Sequence, residues 1–133
     1  MKIVAIICRI LLGLMFVVFG ANILHTFMPM PPPPPAGSPV AMFFGAFMPT
    51  GWMKIVGAFQ LVGGLLVLFG KTAPLGLSLL APVIVNILCF HLLLTGGSGI
   101  AGGAVAALLE IVLIYAYRAN FAGIFSTSAT PTA

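Results

Sequence analysis

The chain of 133 residues holds no aspartate and a single glutamate, Glu110, against five lysines and arginines. Charged residues make up 5% of it, whereas soluble domains carry roughly a quarter. So few charges cannot give a folded globule its polar skin, so most of this surface must meet lipid rather than water. Cysteine is scarce as well. Cys8 and Cys89 each sit inside an apolar run, with no CxxC spacing and no histidine at ligand distance, so they read as structural thiols. That leaves zinc without a ligand set. Nucleophile–base pairs, phosphate loops and dinucleotide fingerprints are missing too, so any catalysis would need a borrowed cofactor. No series of ~10-residue alternating segments occurs, which excludes a transmembrane barrel. The cations are scattered, so a pI near 9.6 does not point to nucleic acid.

What the chain has is apolar length. Hydrophobic residues make up 62%, and the mean hydropathy is +1.29. A bilayer core of ~30 Å takes about 20 helical residues to cross. Four windows approach that length, at about residues 3–27, 53–69, 72–94 and 100–117. Arg9 interrupts the first, which is therefore read as a span rather than the apolar stretch of a signal peptide. The expected fold is all-α: a four-transmembrane-helix bundle over residues 1–125, followed by a flexible tail at 126–133.

Cation placement gives the orientation. Four spans put Lys2, Lys71 and Arg118 on one side, with Arg9 nearest that face, and only Lys54 on the other. The positive-inside rule then makes the termini cytoplasmic and turns the loop at 28–52 outward. That loop carries Pro31 to Pro35, a stiff polyproline II rod read as a connector that ends the first span. The nine apolar residues at about 40–48 are too few to cross. With Trp52 beside them, they suggest a short interfacial or re-entrant helix.

Polar side chains at apolar depth are costly unless they find partners, and they mark where function would sit. Arg9 and Glu110 are the only opposite charges estimated to lie at similar depth, ~9 and ~12 Å from the same face. They are expected to form an interhelical ion pair. Asn22, His25, Gln60, Asn86 and His91 gather in the outer half, as a hydrogen-bond network or the lining of an outward pocket. Paired histidines could ligate a haem, but four spans of this length barely enclose one, so no haem and no metal are expected. Gly13 and Gly20 on the first span, and Gly57 and Gly64 on the second, mark faces where helices approach closely. Pro82 should kink the third span and free the carbonyl of Ser78.

The run Arg9-Ile10-Leu11-Leu12-Gly13-Leu14, the segment Phe19-Gly20-Ala21-Asn22 and the prolines from Pro29 onward resemble the DoxX-like family of small four-span bacterial membrane proteins. So do Gly63-Gly64-Leu65-Leu66, Gly70-Lys71-Thr72-Ala73-Pro74, the stretch from Ala81 to Leu88, Phe90-His91, Leu109-Glu110 and Tyr115-Ala116-Tyr117-Arg118. The likeness runs from about residue 3 to 125. One departure is Gln60, where relatives commonly carry a glutamate. The resemblance implies membrane partners of redox enzymes, some of them small subunits of thiosulfate:quinone oxidoreductases. It also implies a bacterial inner membrane, with the loop at 28–52 periplasmic. The residues and the resemblance together leave three expectations. The chain is a non-catalytic accessory subunit, with other membrane subunits or further copies of itself as partners. Alternatively it is a quinone-interacting subunit, or a protein that binds or transports a lipid or small solute.

Overall fold

The computed structural model describes residues 1–132; the last residue of the expected tail, Ala133, lies outside them. The described residues form helices and turns without strands. In chain order these are α1 (Lys2–Leu24), α2 (Pro39–Phe47), α3 (Trp52–Leu68), α4 (Ala73–Cys89), a π-helical turn (Phe90–Leu94), α5 (Ile100–Ala116) and α6 (Arg118–Phe121).

Two helices are long and apolar enough to cross a membrane. They are α1, with a mean hydropathy of 2.7, and α4 continued through the π turn to Leu94, with 2.3. α2 and α3 reach that standard only as a pair, and they are bent 85° from each other. Gly51 makes that bend with φ 77°, a left-handed conformation that favours glycine. α5, of 17 residues, is apolar but shorter, with a length of roughly 25 Å. α4 continues as one helix through Pro82, and two side chains donate to carbonyls of its backbone. Ser78 Oγ donates to the Pro74 carbonyl at 2.9 Å, and Asn86 Nδ2 to the Pro82 carbonyl at 2.8 Å.

Small residues draw α1, α3 and α4 together. A Cβ built on Gly20 would lie 2.6 Å from the Leu61 nitrogen, and one on Gly64 2.8 Å from the Gly13 carbonyl oxygen. Gly76 meets Gly63 in the same way across α3 and α4. Such contacts bring backbone against backbone, which suits a lipid setting where apolar burial drives little association between helices. Around them lies a core of Leu12, Phe16, Val67, Leu77, Leu80, Ile84, Ala106 and Leu113. The outward faces carry Ile3, Leu14, Val62, Val85, Leu108 and Ile111, all exposed. This arrangement is apolar inside and outside, as a lipid-facing bundle requires.

A candidate ligand pocket under the α2 lid

The short helix α2 forms where Ser38 can cap it. Its hydroxyl accepts from the Ala41 amide at 3.2 Å, and Pro39 opens the first turn, where its missing N–H costs nothing. Because α2 departs from α3 at 85°, it lies across the helix ends instead of extending the span. Its aromatic residues then meet those of α3 and of the π turn. Phe43 and Phe90 pack edge to face with ring centroids 5.1 Å apart, Phe44 and Phe90 lie at 5.5 Å, and Phe47 stacks on Trp52 at 5.4 Å.

Under this aromatic lid is a cavity of about 660 Å³, walled by Ile23, Val56, Phe59, Val83 and Ile87. Its polar lining comes from Gln60, Asn86 and His91, with the indole of Trp52. Gln60 is only 5% exposed, and it lines the cavity. A polar side chain held among apolar walls is placed to meet a ligand.

The π turn positions His91. Its carbonyl accepts from the Gly97 amide at 2.6 Å and from Thr95 Oγ1 at 2.8 Å, which ties the turn to the following loop. Nδ1 lies 2.8 Å from the Ser98 carbonyl oxygen. A carbonyl can only accept, so Nδ1 carries a proton and donates it, which turns Nε2 away from this contact. The ring itself stands perpendicular to Phe90 at 5.2 Å.

Of the five outer polar residues singled out from the sequence, the structure brings Gln60, Asn86 and His91 together and leaves two apart. Asn22 does not line the cavity; its Oδ1 accepts from the amides of Phe27 at 3.0 Å and Met28 at 2.9 Å, closing the chain as it leaves α1. α1 stops at Leu24, and His25 is extended and exposed beyond it. Sequence reasoning did not assign the aromatic lid to this site. The signal was present in the spacing of Phe43, Phe44 and Phe47 along one short helix.

The Arg9–Glu110 pair is not made. Arg9 Nε and both carboxylate oxygens of Glu110 are buried without any hydrogen-bond partner among the described residues. The guanidinium lies instead against the turn between α3 and α4, where a Cβ on Gly70 would overlap Nη1. Gly70 has φ 69° and no side chain, so the turn leaves room for Arg9 that a larger residue would fill. Glu110 is 4% exposed within the α5 core face, beside Ala106 and Leu113. Cys8 and Cys89 are free, and no group of three or more metal-ligating side chains occurs among the described residues.

The family model for DoxX matches residues 4–93. The chain belongs to the DoxX family. That match spans every residue lining the outer cavity, from Ile23 to His91, and stops short of α5 with Glu110. The pocket is therefore contained in the DoxX-matched part of the chain. No curated protein and no solved structure matches the sequence. As a DoxX-family membrane protein, the chain has its polar chemistry in two places: the pocket under α2, and the N-terminal end of α1.

Proposed function

We propose that this DoxX-family protein is a four-span protein of the bacterial inner membrane whose outer pocket binds the ring of a quinone-class molecule. On its own it is non-catalytic, and it serves a larger redox assembly. The observation that carries the reading is the pocket's composition: flat aromatic walls on the α2 side, with the Gln60 side chain, only 5% exposed, among apolar residues. Ligand sites are commonly apolar cavities of this size with a few converging polar groups. Phe43, Phe44 and Phe90 would cover a ring, and Gln60 and Asn86 would donate to its carbonyl oxygens. The Nε2 of His91 suits a hydroxyl, the form that oxygen takes after reduction. A quinone supplies two-electron, two-proton chemistry; this chain's residues hold and orient it.

The four-span topology makes α3 and α5 the second and fourth crossings. Helices of roughly 25 Å in a ~30 Å core are accommodated by local thinning and snorkelling ends. Cations then lie mostly on the side of Lys2, Lys71 and Arg118, which makes that side cytoplasmic and the proline-rich loop periplasmic.

Trp52 is the chain's one tryptophan and lines the pocket, so its emission reports occupancy. In neutral detergent, a short-chain benzoquinone should quench it saturably. Gln60→Ala and His91→Ala should weaken binding, while His25→Ala, outside the pocket, should leave it unchanged. Equal quenching in all four proteins would reject the site. Displacement of the quinone by a plain phospholipid at similar concentration would replace this reading with a lipid-binding one.

A further inference from the structure

The inner end of the bundle contains a second cavity, of about 500 Å³, between the first turns of α1 and the end of α5. Lys2, Arg9 and Tyr117 supply its polar lining, and Ala5, Ile6 and Ala116 its apolar walls. No acidic residue borders it. The chain's only acid, Glu110, is buried in the α5 core face with neither oxygen hydrogen-bonded. Two cationic side chains therefore share one cavity with no acidic side chain beside them, and the buried Nε of Arg9 has no acceptor among the described residues. A buried charged donor without a partner is costly, so the site favours an anion from outside the chain.

We infer that this cavity binds a phosphate group, supplied by the headgroup of an anionic phospholipid in the leaflet where α1 begins. The guanidinium offers a planar fork of N–H donors that matches phosphate oxygens, and the ammonium of Lys2 adds a mobile point charge. The side chain of Arg9 is held against Gly70. Tyr117 reaches the same turn, its hydroxyl 3.5 Å from the Gly70 carbonyl oxygen, too long to engage it fully and so available to a closer acceptor. The apolar walls face the glycerol and upper acyl carbons. A free phosphate ion shares the polar half of this chemistry and lacks the apolar half, which separates the two sources. The inference rests on the membrane character of the chain and is independent of what fills the outer pocket.

The test uses the whole chain purified in an uncharged detergent, with the thermal unfolding midpoint read at constant ionic strength. Three probes are added separately: short-chain phosphatidylglycerol, phosphatidylcholine of the same chain length, and inorganic phosphate. Phosphatidylglycerol should raise the midpoint saturably, and phosphatidylcholine, whose choline cation opposes the lysine, should raise it much less. Arg9→Gln should lower the apparent affinity for phosphatidylglycerol by roughly tenfold or more. Lys2→Gln, on an exposed residue, should lower it by a smaller factor and covers the case in which Arg9→Gln does not fold. A response to inorganic phosphate as large as that to phosphatidylglycerol would keep the anion site and assign it to free phosphate. Equal responses to the two lipids, no response to any probe, or wild-type responses in both variants would overturn the inference.

Discussion

Phe43 of α2 and Phe90 of the π turn meet edge to face at 5.1 Å, the contact through which the lid rests on the end of α4. Aromatic pairs of this kind contribute about 0.5–1.5 kcal/mol beyond their burial. Phe90→Leu should therefore let α2 lift more often. Amide exchange over Pro39–Phe47 should quicken by roughly two- to tenfold, with exchange in α1 and α3 unchanged. Uniform quickening across all helices would mean that Phe90 holds the bundle rather than the lid.

The glycine contact between α1 and α3 should tolerate no side chain. A Cβ on Gly64 would meet two backbone atoms of α1 at 2.8 Å, and backbone cannot step aside. Gly64→Val should cost about 1–3 kcal/mol, seen as a lower unfolding midpoint in detergent. Gly102→Ala in α5, where an added Cβ meets nothing within 4 Å, should gain up to about 1 kcal/mol. Equal effects at the two positions would contradict the close approach.

Glu110 offers a sharper test, because two arrangements predict opposite signs. Breaking a true buried ion pair costs about 3–5 kcal/mol, whereas replacing an unpartnered buried acid by an apolar residue is neutral or stabilising. Both Glu110 oxygens lack partners, so Glu110→Leu should hold or raise the unfolding midpoint. A double-mutant cycle with Arg9→Leu should give a coupling near zero. A coupling beyond about 1 kcal/mol would restore the ion pair.

Crossing number can be checked by labelling. In a background with Cys8 and Cys89 replaced by alanine, single cysteines at Thr26 and Ser98 should react with an impermeant thiol reagent from outside the cell. One at Lys71 should react only after the membrane is opened. Reaction of Ser98→Cys and Thr26→Cys from opposite sides would rule out four crossings.

Much of the helical layout was legible because bilayer thickness imposes apolar lengths that show in one sequence. What the sequence conceals is rotation about each helix. Depth can be counted along the chain, and on that count Asn22, His25, Gln60, Asn86 and His91 belong together. Yet α1 ends at Leu24, so His25 falls past the last turn and the spacing argument for one shared face lapses. Asn22 is drawn off by two loop amides that no periodicity announces. Arg9 and Glu110 failed for the same reason: matched depth carried no information about azimuth. Gly70, unremarked as a neighbour, left the space the guanidinium took. The lid was visible as a short apolar helix, but which surface it would cover depended on the 85° bend at Gly51.

The π turn at Phe90–Leu94 has a consequence for how this chain tolerates changes in length. A π turn carries one residue more than the α-helix it interrupts. Loss of a single leucine there would let the segment relax into α-helix, taking up the extra residue and bringing the loop after it one residue closer to His91. The Ser98 carbonyl would then leave Nδ1 of His91, and the ring would be free to carry its proton on either nitrogen. A one-residue deletion between His91 and Thr95 would thus rewrite the imidazole's hydrogen bonding while leaving the imidazole itself untouched. At this point of the chain, the count of residues matters more than their identity.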